Sequence, residues 1–395
     1  MFCLHTHQLL QSHPSVTGVP PAVVGFVMVS ATWANFVYNS TMNAKLDLIT
    51  DFLAEEREKH HFPGLSVAIV QDQETLLTGG WGFAKLETQT PASAETTYRI
   101  GSITKVFTSM LVMQAVERGW IGLDDPVENT IPEVSNLSAP TPITIRHCIT
   151  HTSGLPMMPP LPELIPNFSG MPTLEDIASV RFPQADRIIE TLAETQLEFS
   201  PGEGHSYSNF GMTLAGESAS RPMGMGYREA IMDHLLKPLK MAHSSFNPDG
   251  QLATGYFDFG EGPTALPDYE IAGFAPAGGI FSNALDMAKF MIWNFSDDPA
   301  PILASTTRDQ MRQKQRDLDS SRYVPGTQGA MGLGWFLSNM GQRTMIEHGG
   351  ADMGYVAFLG LIPDLKFGVF LATNTGQDPM AVAKMAYDVL EVLAE

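Results

Sequence analysis

Ser102-Ile103-Thr104-Lys105 opens an apolar run that reads as a helix. A serine and a lysine three apart on a helix face the same way. The spacing therefore sets an amine beside a hydroxyl at a helix N-terminus, where the helix dipole favours developing negative charge. A serine hydroxyl attacks poorly until a neighbour takes its proton, and here the neighbour is built into the next turn. Ser-x-x-Lys arises by chance about once in a chain of this length, so its weight comes from two further motifs nearer the C-terminus.

Working outward, Ile103, Val106, Phe107, Met110 and Met113 predict one buried stripe on that helix, with Gly119 as its stop. Upstream, Leu65 to Gln71 and Thr75 to Phe83 read as two strands around an Asp72-Gln73 turn. Before them, Leu46, Ile49 and Phe52 are spaced for an amphipathic helix that ends ahead of Pro63-Gly64. Late in the chain, Thr344 to Glu347, Tyr355 to Ile362 and Phe367 to Asn374 read as strands. Asp378 and Pro379 then cap and start a final helix, with Val382, Met385, Val389 and Leu393 toward the core. Strands at both ends with helices between predict an α+β fold, in which distant segments close one sheet around a helical lobe. The expected division is 1–41 as a leader or disordered extension, 42–122 with 275–395 as the sheet lobe, and 123–274 as the helical lobe. Pro156, Pro159, Pro160, Pro162, Pro166 and Pro172 mark a long irregular segment in that lobe, read either as a pocket wall or as a variable surface insertion.

Composition narrows the function. The chain has 395 residues, of which 44% are hydrophobic and 17% charged, so a folded core is expected. Its net charge of -20 repels phosphate backbones, so no nucleic-acid partner is expected. Cys3 and Cys148 form no disulfide framework, and no zinc-ligand spacing occurs, so no metal is expected. No Gly-x-Gly-x-x-Gly cradle follows a strand, so no nucleotide cofactor is inferred. The first charge is Lys45. Val19 to Tyr38 is long enough for an export signal cut near Thr32-Trp33-Ala34, but it lacks a basic start. A processed leader means a secreted or periplasmic protein; without one, a cytoplasmic location and no stable membrane association are expected. No oligomeric state is read from the sequence.

The two further motifs supply a partner for the serine. Tyr207-Ser208-Asn209 comes after the turn Pro201-Gly202-Glu203-Gly204. Tyrosine is a weak base at its free pKa of about 10, but a nearby ammonium favours the phenolate, so a Tyr-Lys pair can move the serine proton. Asn209 offers an amide to the lysine and to a substrate carbonyl. His348-Gly349-Gly350-Ala351 is placed at a strand end, where glycines let a substrate approach the backbone. The Ala351 and Ser102 amides can form an oxyanion hole, and His348 can donate to substrate or orient the tyrosine. Two near matches to a Gly-x-Ser-x-Gly elbow, at Gly204 to Ser208 and Gly216 to Ser220, fail for lack of the last glycine and of a preceding strand. His147, Cys148 and His151 are read as packing and hydrogen-bonding residues, and Trp81, Trp120, Trp293 and Trp335 as core.

In this order, Ser102-x-x-Lys105, Tyr207-x-Asn209 and His348-x-Gly350 resemble the serine beta-lactamase-like family, which includes class C beta-lactamases, penicillin-binding DD-peptidases, D-aminopeptidases and family VIII carboxylesterases. Tyr98 to Gly101, His151 to Pro156, Pro276 to Gly279 and Gly332 to Trp335 resemble further segments of it. The resemblance runs from about residue 45 to the C-terminus. It implies a beta-lactamase/transpeptidase-like fold, an antiparallel sheet flanked by helices plus an all-helical lobe. It implies Ser102 as the acylated nucleophile, Lys105 and Tyr207 as the base pair, Asn209 as a lysine and substrate contact, and the Ser102 and Ala351 amides as the oxyanion hole. Class C beta-lactamases usually carry Lys-Thr-Gly at the third motif; His348-Gly349-Gly350 lacks that fixed cation, since histidine is only partly charged near neutral pH. The leading expectation is a metal-free serine hydrolase of small or medium carboxylic esters. The 22 methionines, with Met157 and Met158 in the proline-rich segment, suit an adaptable apolar acyl pocket as well as an ordinary core. The alternatives are a D-amino-acid peptidase or amidase or a weak beta-lactamase, an acyltransferase, and a non-catalytic scaffold on the same frame.

Overall fold

A computed structural model of the chain describes residues 42–161, 173–248, 250–319 and 329–395. The leader, Cys3, and Pro162, Pro166 and Pro172 of the irregular segment lie outside these residues.

The first helix, α1 (Met42–Lys59), leads into the hairpin β1 (Gly64–Gln71) and β2 (Glu74–Lys85), followed by the short β3 (Thr90–Pro91). The turn between β1 and β2 holds Asp72 at φ +50°, a conformation aspartate tolerates better than most residues. After helix α2 (Thr104–Glu117), the middle of the chain contributes short helices, among them α3 (Ile145–Ile149) and α4 (Asn209–Ser220). It also holds a two-stranded hairpin, Tyr256–Asp258 with Pro263–Ala265, so this region is not purely helical. Helix α5 (Ala284–Phe295) precedes the strands β4 (Arg316–Leu318), β5 (Gly329–Met331), β6 (Phe336–Met340), β7 (Arg343–Asp352), β8 (Tyr355–Ile362) and β9 (Phe367–Thr373), and α6 (Pro379–Ala394) ends the chain.

The nine strands form one antiparallel sheet in the order β3-β2-β1-β9-β8-β7-β6-β5-β4. Its centre joins segments from opposite ends of the chain, with Leu65 opposite Thr373 and Gln71 opposite Phe367. The sheet is covered on both faces, which explains why β8 and β9 read as continuous apolar runs rather than alternating ones. Leu65, Val67 and Ile69 of β1 pack with Leu53 of α1 and Val382, Met385 and Val389 of α6. Ala68 and Val70, pointing the other way, join Phe107 of α2 and Phe290 of α5. The final helix is capped as expected: the Asp378 side chain accepts from the Ala381 amide at 3.0 Å.

Three local expectations change or sharpen. Helix α2 is buried on every side from Thr104 to Ala115, not along one stripe, because it is enclosed between the sheet and the middle segment. The third motif sits at a strand end as expected, but the strand includes it: β7 runs on past Glu347 through Gly349, Gly350 and Ala351, which pair with Phe358, Ala357 and Val356, and stops at Asp352. An apolar pattern cannot register that continuation, because glycine carries no side chain to count. Trp120 is 41% exposed under the Arg118 guanidinium, so it is not core.

Candidate active site

Ser102 lies in a single 3-10 turn, Gly101–Ile103, ahead of α2. That turn is fixed from behind: the Ile100 amide donates to the Ile280 carbonyl, and the Ile280 amide to Thr104 Oγ1, both at 3.1 Å. Gly101 has φ +50°, which favours glycine, and a Cβ there would come 3.0 Å from the Ala351 nitrogen. A Cβ on Gly350 would meet the Ile100 carbonyl oxygen at 2.0 Å and the Ser102 nitrogen at 3.2 Å. The two glycines thus let the backbone of β7 lie directly against the serine turn, with the Ser102 and Ala351 amides close together.

Lys105 is fully buried one turn along. Its Nζ is 2.9 Å from Ser102 Oγ and donates to the Ala277 carbonyl at 2.7 Å. The Ala277 segment is held in turn by Thr108, whose hydroxyl donates to the Pro276 carbonyl at 2.7 Å and lies 2.7 Å from the Tyr227 hydroxyl. Burial raises the Tyr227 phenol above its ordinary pKa, so it stays a donor to Thr108. Ser102 itself is only partly buried.

Tyr207 converges on the same pair from a separate part of the chain. Lys105 Nζ lies 4.7 Å from the centroid of its ring. The ring is flanked by His151 at 4.5 Å, Phe336 at 6.4 Å and His348 at 6.5 Å between centroids. His151 holds this stretch twice: its carbonyl accepts from the Ser206 amide at 2.9 Å, and its Nδ1 accepts from the Ser208 amide at 3.2 Å. It is buried and left-handed, at φ +57°. Ser208 caps α4 by accepting from the Gly211 amide at 2.9 Å.

Asn209 begins α4. Its side-chain amide donates to Met158 Sδ at 3.4 Å. His348 is fully buried, with Nδ1 2.7 Å from the Gly349 carbonyl. A carbonyl only accepts, so Nδ1 carries the proton, and in the neutral ring Nε2 is an acceptor. Beyond Ala351, Asp352 accepts from the Tyr269 hydroxyl, and the Arg99 guanidinium stacks on the Tyr269 ring at 4.1 Å, tying the residues beside the serine turn to those beside the third motif.

The structure therefore brings Ser102, Lys105, Tyr207, His348, Gly349, Gly350 and Ala351 into one neighbourhood, with Asn209 entering through the turn that carries Tyr207. Ala277 falls in a family-like segment and Met158 among the candidate acyl-pocket methionines, but the contacts they make here, through a backbone carbonyl to Lys105 and a thioether to Asn209, carry no sequence signal. His151, expected to pack and to hydrogen-bond, does both, and its partner is the tyrosine segment. His147 is a helix cap, accepting from the Thr144 amide at 3.2 Å. Cys148 is fully buried and its thiol is pushed up to about 12 by burial, which leaves it little thiolate to react. Among the described residues, no three His, Cys, Asp or Glu side chains are grouped to hold a metal ion, and no helix is long and apolar enough to cross a membrane.

A serine-lysine pair at the head of a buried helix, set against a glycine-rich strand of an antiparallel sheet, defines the serine beta-lactamase/transpeptidase-like class. The Beta-lactamase family model matches residues 49–394, and the chain belongs to that family. Among its relatives, Protein flp of Staphylococcus aureus (strain MW2) is 24% identical over 349 residues, covering 84% of this chain and 63% of the relative. Beta-lactamase-like protein 2 of Dictyostelium discoideum is 29% identical over 313 residues, covering 77% and 54%. This chain thus spans less than two thirds of the length of these curated relatives. The octameric penicillin-binding protein homologue from Pyrococcus abyssi superposes with a TM-score of 0.73 at 26% identity, over 88% of this chain and 77% of that one.

Proposed function

We propose that the chain is a serine hydrolase that cleaves small or medium carboxylic esters through an acyl-Ser102 intermediate. The observation that supports this most is the 2.9 Å contact between the Lys105 amine and the Ser102 hydroxyl, in a buried setting that also holds the Tyr207 ring. In this reading Ser102 Oγ attacks the ester carbonyl as Lys105 and Tyr207 take its proton. The Ser102 and Ala351 amides hold the negative oxygen of the tetrahedral intermediate. Tyr207 returns the proton to the departing alkoxide, leaving an ester on Ser102. Water then attacks that ester, giving its proton to the same pair, and the acid leaves as Ser102 regains its hydrogen. The site lies between the proposed sheet lobe, 42–122 with 275–395, and the proposed middle lobe, 123–274.

Esters are favoured over beta-lactams because the third motif supplies no fixed cation for a substrate carboxylate, a departure that resembles the esterase and D-aminopeptidase branches alike. His348 holds its Nδ1 proton toward the Gly349 carbonyl, so in the neutral ring Nε2 meets such a carboxylate as an acceptor. A panel of p-nitrophenyl esters, D-alanyl p-nitroanilide and nitrocefin tests this. The expected result is ester turnover at a kcat/KM at least about 100-fold above that for nitrocefin, the scale on which a missing charged contact discriminates, and above that for the anilide. Faster turnover of the anilide or of nitrocefin overturns the ester assignment. Diversion of the acyl group to added methanol in place of water identifies an acyltransferase.

A further inference from the structure

The chain crossing the start of α4 carries one contact that the reaction does not require. Residues 156–158 are fastened over the helix by their backbone: the Pro156 carbonyl accepts from Ser208 Oγ at 2.8 Å, and the Met157 carbonyl accepts the amides of both Asn209, at 2.9 Å, and Phe210, at 3.4 Å. This fixes the position of the next residue, Met158. Its partly buried side chain packs against the main core, and its sulfur takes a hydrogen bond from the Asn209 side-chain amide at 3.4 Å. A thioether is a weak acceptor, so a methionine is an unusual partner for an amide that an amide carbonyl satisfies better.

We propose that Met158 is a specificity-determining residue that covers the Asn209 amide and so selects acyl groups without an amide of their own. This rests on the acyl-serine reading above and narrows its substrate class to esters of plain alkyl or aryl acids. An acylamino acyl group, as in an N-acylated amino-acid ester, gains binding by placing its carbonyl on the Asn209 amide, and in this chain the methionine holds that position. A plain acyl chain asks nothing of the amide and packs against the thioether and its methylenes, as methionine surfaces favour. The pinned backbone fixes the root of the side chain, and displacing the sulfur from Asn209 means moving that side chain from its core contacts.

The test compares p-nitrophenyl butyrate with the p-nitrophenyl ester of N-acetylglycine, for the parent, Met158→Ala, Met158→Leu and the double variant Met158→Ala with Asn209→Ala. The expected result is that Met158→Ala raises kcat/KM for the N-acetylglycine ester about tenfold, the scale of one hydrogen bond gained by a group otherwise left unserved. Butyrate loses the apolar wall it packs against, so its kcat/KM falls, by up to about tenfold. Met158→Leu, which keeps the bulk and removes the acceptor, gives a smaller rise, and the double variant loses the gain. An unchanged ratio of the two esters in Met158→Ala, with turnover still dependent on Ser102, overturns the role of Met158 alone. So does a gain that survives loss of the Asn209 amide, which assigns the effect to space. If neither ester is turned over in a Ser102-dependent way by any variant, the hydrolase reading itself fails and this inference fails with it.

Discussion

Lys105→Ala is expected to lower kcat/KM for p-nitrophenyl esters by about 10³–10⁴-fold while leaving the fold in place. The magnitude comes from losing the group that removes the proton from a nucleophile, which costs on that scale in serine hydrolases of other architectures. The amine touches Ser102 Oγ and is anchored on the Ala277 carbonyl, so its loss takes away the base held at hydrogen-bond distance from that hydroxyl. Lys105→Arg is expected to fail nearly as completely. A guanidinium stays protonated and cannot act as a base, and its planar fork does not fit between a hydroxyl and a carbonyl 2.9 and 2.7 Å from one nitrogen. Steady-state kinetics beside a thermal melt separate the two effects: activity lost with the melting temperature kept is the expected pattern. Activity within tenfold of the parent in Lys105→Ala removes the lysine from the mechanism.

Gly350→Ala is expected to be nearly as damaging, for a different reason. The added methyl would sit 2.0 Å from the Ile100 carbonyl oxygen, which is backbone and has no rotamer to escape into. Either β7 or the serine turn must move, and the Ser102 and Ala351 amides then part. Loss of one oxyanion donor costs about 10²–10³-fold in kcat, and forcing a methyl into a closed contact costs about 1–3 kcal/mol in stability. The expected signature is a fall in kcat larger than any change in KM, with a lowered melting temperature. A fully active, equally stable Gly350→Ala contradicts the placement of β7 against the serine turn.

Much of this architecture is legible in the residues. The β-hairpin near the start is readable because Leu65 to Ile69 is nearly all apolar and a turn-forming Asp72 comes soon after. The last helix is readable because Asp378-Pro379 is a start signal whose chemistry is local. The three motifs are readable because they occur together and in order, though none is specific alone. The order of strands is not: β1 lies between β2 and β9, and nothing in Leu65 announces a distant partner at Thr373. The continuation of β7 through Gly349 and Gly350 is hidden because its pairing is carried by backbone alone. The same limit conceals the contact of the Ala277 carbonyl with the lysine and that of the Met158 sulfur with Asn209, although both residues lie in segments the sequence already marks. Even the burial of α2 exceeds what its pattern suggests, since its polar Thr104, Thr108 and Ser109 are enclosed as fully as its leucine and valines.

The acyl-carrier role of Ser102 is tested most directly by intact-mass spectrometry of the protein quenched during reaction with a slowly hydrolysed activated ester, or after treatment with a fluorophosphonate, beside Ser102→Ala. The account predicts one added acyl or phosphonyl mass per chain, mapped by peptide sequencing to Ser102, and no added mass in the variant. Stoichiometric labelling that persists in Ser102→Ala, or that maps to Ser206 or Ser208, contradicts it.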